Sequence, residues 1–184
     1  MAELRKTQGI RGRISIFTHH HSDFIDLLSI MEKTNVMRIL SQKGIEFIPH
    51  EYDDTITEGE KIAELLNESP ESVFKTLVTV ANTGEHYVFV IPVCCTLDLK
   101  KAALAAGVKN IAMIKQKELL PLTGYIHGGC SPIGMKKPFP TFMEESATLC
   151  DRIFFSAGKV GYQVEVAPDQ LVELIGASYC DLIG

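Results

Sequence analysis

Val73-Phe74-Lys75-Thr76-Leu77-Val78-Thr79-Val80, then Asn82-Thr83-Gly84, then the apolar run His86 to Val93, decide the fold. The outer runs are β-branched and largely apolar, as buried strands require, and the Asn-Thr-Gly between them reads as a hairpin turn. Two core strands therefore pair antiparallel. That pairing excludes a doubly wound nucleotide fold, whose strands would all be parallel.

Upstream, Thr34 can cap a helix with Val36, Met37, Ile39 and Leu40 on one face and Gly44 as its left-handed end. Ile45 to Tyr52 reads as a strand, and Pro49 suits an edge position. Thr57-Glu58-Gly59-Glu60 has the form of a capping box opening a helix with Ile62, Ala63, Leu65 and Leu66 on one side, and Ser69-Pro70-Glu71 is a second helix-start signal. Downstream, Asp98 opens a helix over Leu99 to Ala106, closed by Gly107. Val108 to Ile114 follows as a short strand, with a helical turn from Gln116 to Leu120. Pro140 to Met143, Ile153 to Ser156, Tyr162 to Val166 and Ser178 to Ile183 read as strands, and Pro168 to Ile175 as a helix with proline first. About seven strands among four or five helices, with hairpins as well as crossovers, predict a mixed α/β fold: a curved or barrel-like sheet surrounded by helices.

Composition bounds the function. The 184 residues suit one core-forming domain over 32–184, preceded by a poorly packed extension over 1–31 that carries net charge +1 against -6 for the rest. Met31 reads as a natural chain start, and His19-His20-His21, without a carboxylate or cysteine partner, as exposed rather than metal-binding. Apolar runs are too short to cross a bilayer, and a net charge of -5 argues against a stand-alone duplex binder. The five cysteines, Cys94, Cys95, Cys130, Cys150 and Cys180, include no C-x-x-C pair and read as reduced, cytoplasmic and buried as small apolar residues. The adjacent Cys94-Cys95 cannot comfortably chelate one zinc.

Gly124-Tyr125-Ile126-His127-Gly128-Gly129-Cys130-Ser131-Pro132-Ile133-Gly134-Met135-Lys136-Lys137 cannot form a good helix. Such a loop either cradles a carbonyl or phosphate oxygen with successive N–H groups or is a tight connection between strands. Lys75 interrupts an apolar strand, so its amine must reach solvent, an anion or a ligand, on an exposed face or in a cleft. No hydrolase motif is present. Cys130 with His127 suggests a cysteine nucleophile, but loop neighbours seldom reach in-line geometry.

Val73-Phe74-Lys75-Thr76-Leu77, Leu97-Asp98-Leu99-Lys100-Lys101, Gly124-Tyr125 and the Gly128 to Lys137 stretch, in this order and spacing, resemble the YbaK/EbsC family of aminoacyl-tRNA deacylases, in particular its Cys-tRNA(Pro) deacylase branch. The resemblance runs from about Asn35 to Ile183 and implies a free-standing relative of the editing domain of prolyl-tRNA synthetase, needing no metal or organic cofactor. It implies that Lys75 engages the 3′-terminal phosphate region of the tRNA and that the Gly128, Gly129 and Pro132 loop polarises the ester carbonyl. Tyr52, Phe74, Gly124, Cys130, Ser131, Lys159 and Gln163 are then expected to line the substrate site. The substrate's own thiol attacks in that branch, releasing a thiolactone. Gln163 and Val160 depart from the acidic and basic residues common there, which leaves alanyl-tRNA(Pro) deacylation and non-catalytic binding of the tRNA 3′ end or a nucleotide as alternatives. Lys100, Lys101, Lys136, Lys137 and Lys159 form the expected basic rim, with capture beside prolyl-tRNA synthetase compensating for the acidic net charge.

Overall fold

The Thr34 hydroxyl accepts a hydrogen bond from the Met37 N–H at 3.3 Å and opens helix α1 (Asn35–Gln42), whose Val36, Met37 and Leu40 are buried. From there a computed structural model describes residues 32–184; the expected extension over 1–31, with its three histidines, lies outside the described residues. In chain order follow β1 (Phe47–Glu51), α2 (Gly59–Leu66), β2 (Phe74–Ala81), β3 (His86–Pro92), α3 (Leu99–Ala105), β4 (Ile111–Met113) and α4 (Gln116–Thr123). Then come β5 (Thr141–Glu144), a 3₁₀ turn (Glu145–Leu149), β6 (Ile153–Ser156), β7 (Tyr162–Val166), α5 (Pro168–Ile175) and β8 (Ser178–Cys180). Five α-helices and eight strands in two sheets make the mixed α/β fold among the described residues.

One sheet runs β1-β7-β6, all antiparallel, with Pro49 in its edge strand β1. The other runs β4-β2-β3-β5-β8, in which β2 pairs antiparallel with β3 and β4, while β3–β5 and β5–β8 are parallel. A parallel bridge between Val73 and Phe154, with the Phe154 N–H donating to Ser72 O at 2.9 Å, joins the sheets along a seam. Ala63 of α2 packs over it against Val73, Val93 and Phe154.

Strand β3 lies inside its sheet and Tyr87 to Pro92 are all buried, which explains a continuous apolar run rather than an alternating one. Phe89, Ile91 and Leu182 are each 0% exposed and join Ala102 and Ala103 of α3 in one core cluster, at about 1.5–3 kcal/mol per large side chain buried. Asp98 caps α3 by accepting from the N–H groups of Lys100 and Lys101. The C-terminus is fixed by the buried Glu144 carboxylate, which accepts from Leu182 N at 2.7 Å and Ser146 N at 3.3 Å.

Several local expectations are corrected. The Thr57 capping box does not form: α2 starts at Gly59 with Glu58 at its cap position and no side-chain bond to it, and Leu65 is 50% exposed. Ser69-Pro70-Glu71 makes a turn, with Ser69 accepting from the N–H groups of Glu71 and Ser72, because β2 begins too soon for a helix. The turn at Gln116 extends to Thr123 despite Pro121 inside it; Pro121 and Lys117 are exposed, so the carbonyl that loses its donor is open to water. No cysteine is fully buried: Cys94 is exposed and the other four are half-buried, Cys180 among them packing against the core cluster.

Candidate active site

Lys75 is the second residue of β2, not its middle. It is half-buried, and its ammonium donates to the Val93 carbonyl oxygen at 3.0 Å. Burial pulls its pKa below the ordinary lysine value, against the opposing influence of Cys95, Cys94 and Glu60. An ammonium carries three donors, and Val93 takes one.

Val93 leads directly to α2. A Cβ at Gly59 would lie 2.5 Å from Val93 Cγ1, so only glycine lets the helix start approach this closely. This contact sets the helix register and displaces Thr57 from the capping role. Thr57 packs instead against the glycine-rich loop: Gly128 has φ +82°, and a Cβ there would meet Thr57 Cγ2 at 2.7 Å and Val160 Cγ2 at 3.6 Å. Gly129 sits against the backbone of Lys159 and Val160: a Cβ there would lie 3.2 Å from Val160 N. Lys75, Val93, the start of α2, Thr57, the Gly128–Gly129 loop and the Lys159–Val160 turn thus form a continuous series of contacts from the five-stranded to the three-stranded sheet.

The loop's amides are not equivalent. The Gly129 N–H donates to Ile126 O at 3.0 Å, a turn bond, and Pro132 has no N–H. Among the described residues, the Gly128, Cys130 and Ser131 N–H groups have no backbone acceptor, which moves the expected donor role away from Gly129. Tyr125, which sequence reasoning left out of the site, fixes the loop. Its buried hydroxyl donates to Ile133 O at 2.6 Å, and Cβ atoms at Gly134 and Gly158 would crowd its ring or hydroxyl. Burial and the neighbouring Cys130 push its phenol up to about 12.

A second group lies just after β1 and on β7. The Tyr52 hydroxyl and the Gln163 amide oxygen are both buried and make no close, well-aligned hydrogen bond. Burial raises the Tyr52 pKa, while the Gly161 N–H and the Gln163 side chain beside it pull the other way. Gly161 is pressed to the Tyr52 carbonyl oxygen, 3.2 Å from where its Cβ would be. Two adjacent buried polar atoms so weakly partnered suit a ligand that brings its own donors.

Other expected residues take supporting positions. Phe74 is 2% exposed and belongs to the core; Gly124 caps α4 in the left-handed conformation under the Lys136 stem; Ser131 is buried and accepts from the Ile133 N–H. Pro132 lines a shallow groove of about 360 Å³ with Ile39, Phe139 and Leu174. Burial pushes the Cys130 thiol up to about 12 while His127 is exposed, an arrangement unfit for a cysteine nucleophile at neutral pH. The basic rim is smaller than expected: Lys101 is bound to Asp181 and to Ile183 O, Lys136 reaches Leu120 O at 3.4 Å, and Lys159 lies 5.0 Å over the Tyr162 ring. Among the described residues no group of three or more histidine, cysteine or acidic side chains is placed to hold a metal ion.

The chain belongs to the aminoacyl-tRNA editing domain family, whose profile matches residues 54–174, and is thereby an aminoacyl-tRNA deacylase. It is 43% identical over 154 residues, 82% of this chain and 93% of the relative, to a protein of Enterococcus faecalis provisionally named Cys-tRNA(Pro)/Cys-tRNA(Cys) deacylase EbsC. Two solved structures share the fold. One, provisionally described as a trans-editing enzyme for prolyl tRNA synthetase, is 24% identical with a TM-score of 0.72, covering 81% of this chain and 94% of that one. The other, hypothetical protein APE2540, is 25% identical with a TM-score of 0.76, covering 83% and 100%. None of the described helices is long and apolar enough to cross a membrane.

Proposed function

We propose that this protein edits tRNA(Pro) in the cytoplasm by deacylating Cys-tRNA(Pro), within a domain spanning 32–184. The observation that carries the reading is the half-buried Lys75 ammonium with donors to spare, beside the start of α2, whose first-turn N–H groups have no side-chain cap. A cation and a helix N-terminus together suit the terminal phosphate of the tRNA 3′ end. The ester carbonyl then faces the Gly128, Cys130 and Ser131 amides, which stabilise the developing oxyanion. Tyr52 and Gln163 accept from the substrate's α-ammonium.

The chain offers no activated nucleophile here, since Cys130 is held as a thiol. Attack by the substrate is what the family resemblance implies: its thiolate adds to the carbonyl carbon, the C–O ester bond breaks, the 3′-oxygen takes a proton, and a thiolactone leaves to be hydrolysed. Orientation and oxyanion stabilisation are what the enzyme adds. The resemblance and the name of the 43% identical relative support the cysteine assignment. Capture of the substrate beside prolyl-tRNA synthetase accords with the net charge of -5 and the reduced basic rim; sedimentation at low salt should show a ternary complex, and its absence would remove that partner.

Deacylation of Cys-tRNA(Pro), Ala-tRNA(Pro) and Pro-tRNA(Pro) by wild type and Lys75→Ala tests the reading. Selective loss of Cys-tRNA(Pro), abolished in the variant, is expected. Preference for Ala-tRNA(Pro) would transfer the assignment to alanine, and tRNA binding without turnover of any of the three would overturn it.

A further inference from the structure

Cys94 and Cys95 are consecutive, and their sulfurs lie 3.8 Å apart. Cys94 is exposed and Cys95 half-buried, so the pair is open to small oxidants, and the site described above uses neither thiol. They stand in the turn that leaves β3. The Cys95 N–H donates to Pro92 O at 3.1 Å, and inside that turn Val93 gives its carbonyl oxygen to the Lys75 ammonium. Lys75 is close enough to interact electrostatically with both sulfurs.

We propose that Cys94 and Cys95 are a thiol modification site, oxidised by hydroperoxides to a vicinal disulfide whose closure pulls the Val93 carbonyl away from Lys75 and switches the site off. The effect on turnover rests on the function proposed above; the chemistry of the pair does not.

The reaction balances with the peroxide as oxidant. The Cys94 sulfur attacks the terminal peroxide oxygen as thiolate; the O–O bond breaks, a sulfenic acid forms on Cys94, and the alkoxide leaves as alcohol with the thiol's proton. The Cys95 sulfur then attacks the sulfenic sulfur, the S–O bond breaks, and hydroxide leaves as water with the Cys95 proton. Two thiols lose two electrons and two protons, and one peroxide becomes one alcohol and one water.

Closure must move the backbone. The sulfurs must approach from 3.8 Å to about 2.05 Å. Ordinary disulfides span Cα atoms about 4.4–6.8 Å apart, whereas chain neighbours are held at about 3.8 Å. The ring therefore distorts the peptide units of this turn, and Val93 precedes it directly. Strained disulfides are the readily reduced, regulatory kind, so the change is reversible by thiols.

The test treats the full chain with hydrogen peroxide, maps linked peptides by mass spectrometry, and follows Cys-tRNA(Pro) deacylation and the rate at which Lys75 reacts with an amine reagent. Cys94→Ser and Cys95→Ser serve as controls, with Cys130, Cys150 and Cys180 kept. The expected result is a 94–95 link, a fall in turnover on the order of tenfold to a hundredfold, an altered Lys75 labelling rate, and reversal by dithiothreitol, with both variants resistant. Absence of the link, equal inactivation of the serine variants, or a link that leaves Lys75 labelling unchanged would overturn the proposal. If reduced protein turns over no substrate yet the link forms and alters Lys75 labelling, the modification site stands and the deacylase reading for Cys-tRNA(Pro) falls.

Discussion

The Lys75 ammonium is held by the Val93 carbonyl oxygen at 3.0 Å, and Val93 in turn is the side chain against which Gly59 starts α2. The cation is thereby fixed in place and kept partly dry. Its pKa is lowered chiefly by burial, so the charged form is lost at lower pH than in free lysine. Affinity for a phosphate-bearing ligand should fall as pH rises, with a midpoint below the 10.5 of unperturbed lysine. A non-hydrolysable aminoacyl-adenosine phosphate, used because the natural ester is alkali-labile, should show this limb in a binding titration, and Lys75→Met should lack it.

Gly128 has two reasons to be glycine. Alanine there must adopt φ near +82° and place its Cβ 2.7 Å from Thr57 Cγ2. The left-handed backbone alone costs about 1–2 kcal/mol. Gly128→Ala should lower turnover at least about tenfold through the displaced loop. Adding Thr57→Ser, which removes the clashing methyl but not the backbone strain, should restore part of it; full restoration would show that the backbone conformation is immaterial.

Cys130→Ala should retain turnover within about threefold of wild type. With the thiol pushed up to about 12, the thiolate at neutral pH amounts to roughly one part in 10⁵. Abolished turnover in a variant with an unchanged melting temperature would restore Cys130 as the nucleophile.

The Tyr52 hydroxyl and the Gln163 amide oxygen lie buried without close, well-aligned hydrogen bonds, and a group left wholly unsatisfied costs about 1–3 kcal/mol. Gln163→Leu, similar in volume, should therefore melt at a higher temperature while its KM for aminoacyl-tRNA rises. Gaining stability while losing affinity marks a group kept for a ligand. A lower melting temperature with unchanged KM would assign Gln163 to the core.

Glu144→Ala should destabilise the fold by about 2–3 kcal/mol, since it removes a buried carboxylate accepting from Leu182 and Ser146 and leaves the Leu182 N–H unpaired. Denaturant melts measure this directly. Turnover per folded molecule should not change.

What the sequence made legible was mostly local. The hairpin followed from β-branched runs around Asn82-Thr83-Gly84, and α1 from the cap at Thr34 and the glycine at 44. The expected capping box at Thr57 failed because the start of α2 is set by Val93, a residue of another element, and no local pattern carries that contact. Division into two sheets was hidden for the same reason: the parallel β3–β5 and β5–β8 neighbours and the Val73–Phe154 bridge are distant in the chain. In the site, Lys75 and Gly128 stood out as a charge in an apolar strand and glycines in a loop. Tyr125 did not, since a buried tyrosine looks like core until its hydroxyl is seen on Ile133 O.

The seam also divides the residues proposed to hold the substrate. Lys75 belongs to one sheet, Gln163 to the other with Tyr52 just beyond its edge strand β1, and the bridge between Val73 and Phe154 joins the two. The proposed ligand touches both sheets, so it ties together elements that the chain itself joins across this seam by a single bridge among the described residues. Such a ligand resists separation of the sheets, and its binding should slow global unfolding more than it protects either sheet from local fraying.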